Sequence, residues 1–129
     1  MDVFNEGRHP GEGLMSEAPG VGARSREVVT IKSGAGVIAP GTVLGEITSD
    51  GKFIPSPHAE VTGSEGAEVA TAISLYGCDA TSSDQQITVI ARAAVWNGNT
   101  LTYDSSVDNG AKRTTKQEQL ADQGIIIRN

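Results

Sequence analysis

Few side chains in this sequence are of the types that catalyse reactions or bind metals, and their spacing keeps them apart. His9 falls in a glycine-rich opening and His58 in a proline-rich stretch. Neither has a second imidazole at ligand spacing, so neither reads as a general base or a metal ligand. Cys78 is the single cysteine, which excludes an intramolecular disulfide and a cysteine-based zinc cage. Its apolar surroundings mark it as a small buried hydrophobe rather than a nucleophile. Asp79 and Asp84 would make a carboxylate pair for acid–base work, but the Ser/Thr-rich turn between them explains both. Gly34-Ala35-Gly36 begins like a phosphate-cradling loop, yet the third glycine and the helical period that should follow are missing, which leaves a turn. Lys112, Arg113 and Lys116 form a small basic cluster that reads as the solvated face of a helix. The expectation is therefore no catalytic residue, no metal ligand and no cofactor.

Lys52 lies beside a hairpin tip, where lipoyl or biotinyl attachment lysines are found, but the flanking residues expected there are absent. The composition is equally restrictive. A chain of 129 residues with 37% hydrophobic and 4% aromatic residues and 16 glycines is one domain's worth, with a modest core built mainly from Val, Ile, Ala and Leu. Such a core gains from assembly, because a partner that binds only the folded form stabilises it. A net charge of −6 with scattered basic residues argues against nucleic acid as a partner. The N-terminus carries Asp2 and Glu6 and no apolar signal region, and no run is long enough to span a bilayer. No membrane partner is expected, and the lone cysteine fits synthesis in a reducing cytoplasm.

The elements that would position any site are mainly β. Val28 to Lys32 is a β-branched run, Pro40-Gly41 turns the chain into a strand over Thr42 to Thr48, and Asp50-Gly51 makes a hairpin into Lys52-Phe53-Ile54. Pro55 to Glu68 reads as an exposed loop. Val69 to Cys78 reads as one central strand, and Ile87 to Val95 as another with Ile87, Val89, Ala91, Ala93 and Val95 on its inner face. Asn97-Gly98 signals a hairpin into Thr100 to Tyr103. The one helix has a capping box at Thr115 and Glu118 and ends at Gly124, before a final strand over Ile125 to Arg128. The fold class is thus mainly β (α+β), compact and barrel-like with one short C-terminal helix.

Residues 1–27 form a different regime, in which glycines and prolines interrupt any period, and the β-rich domain is expected over residues 28–129. This opening reads as an extended arm that docks on a partner through Phe4, Leu14, Met15 and Val21, apolar residues suited to filling pockets while the backbone adds to a sheet edge.

In order and spacing, several segments resemble the bacteriophage head decoration family. They are Arg24-Ser25-Arg26-Glu27-Val28-Val29-Thr30-Ile31, Ala39-Pro40-Gly41-Thr42-Val43-Leu44-Gly45, Gly51-Lys52-Phe53-Ile54-Pro55, Tyr76-Gly77-Cys78-Asp79-Ala80-Thr81, Arg92-Ala93-Ala94-Val95 and Leu120-Ala121-Asp122-Gln123-Gly124-Ile125-Ile126-Ile127-Arg128. The resemblance covers residues 24–129. It implies a β-tulip domain that forms a homotrimer and caps three-fold and quasi-three-fold positions of an expanded phage head. There it would tie neighbouring copies of the major capsid protein together against packaged DNA, on the outer surface of the virion. A rival reading from another class is a β-rich surface adhesion or carbohydrate-binding module. That reading needs clustered exposed aromatics, whereas Phe4, Phe53, Tyr76, Trp96 and Tyr103 are few and dispersed.

Overall fold

A computed structural model of the chain describes residues 7–18 and 24–129. Among these residues, ten strands and one α-helix follow in chain order: β1 (Leu14–Glu17), β2 (Arg26–Ile31), β3 (Gly36–Ile38), β4 (Val43–Glu46), β5 (Phe53–Pro55), β6 (Ala70–Ser74), β7 (Cys78–Ala80), β8 (Gln85–Ile90), β9 (Ala94–Asn97), α1 (Gly110–Asp122) and β10 (Ile125–Arg128). Strands β2, β5, β4, β6 and β8 close into a barrel in that order. A three-stranded sheet, β1-β9-β10, packs beside it, and β3 and β7 pair as a small separate sheet. The mainly β, barrel-like expectation is what the structure shows.

Turn chemistry explains the tight corners. Gly41 and Gly51 have φ of 84° and 71°, angles that only glycine takes without steric cost. At Asp50-Gly51 the Ile47 amide donates to the Lys52 carbonyl at 2.8 Å and the Asp50 carboxylate accepts from the Lys52 amide at 3.0 Å. This is the hairpin read from the sequence, and it joins β4 to β5.

Two long runs expected as single strands are each two. Val69 to Cys78 divides into β6 and β7, because the chain folds at Tyr76-Gly77 so that Cys78 pairs with Ile38 outside the barrel. Gly77 permits this close approach, since a Cβ there would lie 2.7 Å from the Ile38 carbonyl oxygen. Ile87 to Val95 divides into β8 and β9 at a corner where Ala93 takes a φ of 53°. The buried face changes at that corner: Val89 lines one core and Ala94 and Trp96 line the other, so Ala93, expected on the inner face, is exposed, and Ala91 and Val95 are only half-buried. Nor does Asn97-Gly98 form a hairpin: the Asn97 side chain accepts from the Asn99 amide, a 3-10 turn spans Gly98–Thr100, and Thr102 bridges in parallel to Thr42.

The helix begins six residues earlier than the Thr115 capping box predicts. Asn109 is its cap, accepting from the Lys112 amide at 2.9 Å, a role for which Asn is among the best residues. Thr115 is interior to the helix and its hydroxyl donates back to the Ala111 carbonyl. Gly124, at φ 85°, ends the helix as expected and releases the chain into β10, which runs parallel to β9.

The core has two parts. Ile31, Leu44, Phe53, Ala72, Ile87 and Val89 fill the barrel. Trp96, 1% exposed, centres the second part with Leu120, Ile125, Ala94 and the barrel residues Ile73 and Ile90.

Candidate functional site

The N-terminal segment is where the sequence places function. Of its four singled-out residues, the structure describes two, and they face opposite ways. Leu14 is half-buried against the Trp96 cluster, whereas Met15 is 59% exposed. Phe4 and Val21 lie outside the described residues. Residues 7–18, expected in the extended arm, lie along the body of the domain. Strand β1 pairs antiparallel with β9, with a register shift between Leu14 and Ser16 that coincides with the outward Met15. The Gly11 amide donates to the Leu75 carbonyl at 3.0 Å, the Asn97 amide to the Gly13 carbonyl at 2.8 Å and the Ala18 amide to the Ala93 carbonyl at 2.9 Å. Gly13 rests on the Trp96 ring, and a Cβ there would be 2.2 Å from the indole nitrogen.

The segment is also tied to the barrel by a charged bond. Glu17 accepts two hydrogen bonds from Arg26, at 2.7 and 3.1 Å, and one from the Ser25 hydroxyl at 2.5 Å. Donation from Arg26, and then from Ser25, holds the Glu17 carboxyl below the usual glutamate range. Strand β2 accordingly starts at Arg26, two residues before the expected domain boundary.

His9 and His58 are exposed, and their backbone amides donate to Glu12 and to Ser106. Cys78 is half-buried, and burial, reinforced by the Asp79 charge, pushes its thiol up, away from the reactive thiolate. Asp79 accepts from the Thr81 amide and hydroxyl, while Asp84 pairs with Lys52 at 2.8 Å and accepts from the Ser33 amide. The two carboxylates thus serve separate turns. Among the described residues, no group of three His, Cys, Asp or Glu side chains is disposed to hold a metal.

Among the described residues, aromatic side chains do not gather on the surface. Trp96 and Phe53 are buried; Tyr103 borders a polar groove of about 720 Å³ and has the Arg113 guanidinium 5.8 Å from its ring centre, while Tyr76 is exposed apart from it. A ring face occupied by a cation is not free to stack on a sugar.

Residues 3–125 match the family of the bacteriophage lambda head decoration protein D. The chain belongs to that family. No curated protein matches it. The family is one of structural proteins that decorate the phage head, so its members associate with the capsid of the virion. Among the described residues, no helix is long and apolar enough to cross a membrane.

One residue that sequence reasoning misjudged is Lys116. Expected on a solvated face with Lys112 and Arg113, it is 1% exposed. Its ammonium donates to the Ser56 hydroxyl at 2.9 Å and to the Pro57 and Glu68 carbonyls at 2.6 Å each. The signal that could have found it is spacing: Lys116 and the apolar Leu120 are four apart and share a helix face. The loop it grips, expected to be exposed, is anchored as well, with Ser56 and Ala67 fully buried.

Proposed function

We propose that this chain is a cement subunit, binding as a homotrimer to the outer surface of the expanded phage head at three-fold and quasi-three-fold positions. There it links copies of the major capsid protein and stabilises the shell against the pressure of packaged DNA. The observation that carries this reading is the family match over residues 3–125.

Residues 1–27 are the capsid-binding segment in this proposal, and residues 28–129 the decoration body. Met15, being exposed on an edge strand, suits contact with a partner. Leu14 fixes the strand that presents it, while Phe4 and Val21 add apolar contacts on either side. One weak contact per subunit becomes tight in a trimer, because the second and third attachments occur at high effective concentration. Expansion matters if only the mature shell spaces the three sites correctly. The net negative charge keeps a protein made in the host cytoplasm from adhering to DNA before it reaches the shell.

The test is cosedimentation of the purified protein with expanded and unexpanded heads of its own phage, with native mass recorded on the unbound fraction. Saturable binding to expanded heads by a trimeric species is the expected result. Failure to bind either shell would remove the cement role.

A further inference from the structure

Between β5 and β6 the chain leaves the barrel at Ser56 and returns at Val69. This excursion has internal bonds of its own: the Ser64 amide donates to the Val61 carbonyl at 2.9 Å, the Ala67 amide to Ser64 at 3.2 Å and the Val69 amide to Gly66 at 3.3 Å. The Gly66 amide donates to the Glu68 carboxylate at 2.8 Å. It is a compact loop whose two limbs meet at a neck, where the Ser56 hydroxyl donates to the Ala67 carbonyl at 2.7 Å.

We propose that Lys116 is the latch of this loop: by gripping Ser56 and Pro57 on the outgoing limb and Glu68 on the returning limb, it clasps the neck to α1, and without it the loop opens as a unit from an intact barrel.

The donor count supports this. An ammonium has three N–H groups and no acceptor, and Lys116 has three oxygen partners, one hydroxyl and two carbonyls. Because the partners span both limbs, the ammonium joins them across twelve residues of chain. Gln119, one helical turn on, reinforces the returning limb by accepting from the Ala70 amide at 2.8 Å. The barrel does not depend on the clasp, since its ladders run between β2, β5, β4, β6 and β8 themselves. Regions held by few bonds outside the main ladders open locally, below the cost of global unfolding.

The charged surroundings fit a cation held mainly by neutral oxygens. Burial lowers the Lys116 pKa, and the carboxylates of Glu68 on the loop and Asp104 on the segment before α1 oppose that drop. On the helix itself Lys112 and Arg113 precede it by one turn, with Lys112 engaged by Asp108 at 2.9 Å.

Amide hydrogen exchange on Lys116→Met tests the proposal, because methionine keeps the stem and removes the donors. Exchange at Ser64, Ala67 and Val69 should accelerate by about tenfold or more, the scale set by one lost bond to a charged group, with amides of β2 and β8 unchanged. Should this variant fail to fold, Ser56→Ala removes one of the three acceptors and should give the same pattern at smaller amplitude. In the wild type, Lys116 should also resist an amine-acylating reagent that modifies Lys112. Equal acceleration in loop and barrel, an unchanged loop, or acylation of Lys116 as fast as Lys112 would each overturn the latch.

Discussion

Two segments outside the barrel are fastened to it by opposite means. Strand β1 is held by a backbone ladder to β9, by the fit of Gly13 against Trp96, and by a partly exposed ion pair between Glu17 and Arg26. The loop between β5 and β6 has no ladder to a neighbouring strand; it is held by a buried ammonium, by Ala67 wedged against Gly45, and by single bonds from the Thr48 amide to the Glu65 carbonyl and from the His58 amide to the Ser106 hydroxyl. A ladder distributes its hold over many weak bonds, and each can be lost without the others. A buried cation concentrates it, since removing the charge leaves several desolvated oxygens without a donor. The segment proposed to meet a partner is thus the one fastened in small increments, and the loop is the one whose two limbs are gripped together by one cation.

The largest change should come from removing the indole on which Gly13 of the N-terminal segment rests. Trp96→Ala leaves a cavity under β1 and beside Leu120 and Ile125, and truncations of this kind cost about 3–5 kcal/mol. Denaturant unfolding followed by far-UV circular dichroism should show that loss; a cost under about 1 kcal/mol would mean the second core is not closed around the indole. The two glycines then separate the regions. A Cβ at Gly45 would lie 2.0 Å from the Ala67 carbonyl oxygen, a backbone atom, whereas one at Gly13 would lie 2.0 Å from the Thr100 hydroxyl and 2.2 Å from the indole nitrogen, which belong to side chains. Backbone yields less readily, so Gly45→Ala should cost the upper part of the overpacking range of about 1–3 kcal/mol and Gly13→Ala the lower part. Thermal melts of the pair would reverse the comparison if Gly13→Ala proved the more damaging.

Much of the architecture was legible because turn chemistry is local. Pro40-Gly41, Asp50-Gly51 and Gly124 each carry the glycine that a positive φ requires, and the mainly β class followed from the runs between them. The division of β6 from β7 and of β8 from β9 was not legible, since apolar residue types continue past each corner: Ala91, Ala93 and Val95 extend the pattern of Ile87 and Val89 in the sequence, although the buried face beyond the corner is that of Ala94 and Trp96. Lys116 was hidden for a related reason. A lysine on a helix is ordinarily solvated, and its burial depends on carbonyls from Pro57 and Glu68 that no local pattern brings near. In the N-terminal segment, residue types marked Leu14 and Met15 as apolar anchors, but only the pairing with β9 and its register shift turns one inward and the other out.

The smallest expected effect tests whether the charged part of the β1 attachment matters. Hydrogen bonds from Arg26 and Ser25 lower the Glu17 pKa from its ordinary 4.5, so the folded state holds that proton less tightly than the unfolded chain. The contribution is therefore full above about pH 4.5 and is lost as pH falls through the lowered value. A pair this accessible is worth only about 0.5 kcal/mol. Glu17→Gln should consequently be slightly less stable than wild type at pH 7, and the gap should close in acid as wild-type Glu17 becomes protonated. A gap that stayed constant between pH 7 and acid would assign the effect to side-chain packing. Its disappearance would instead leave the ladder and the Trp96 contact as the bonds that hold the segment when the charge is gone.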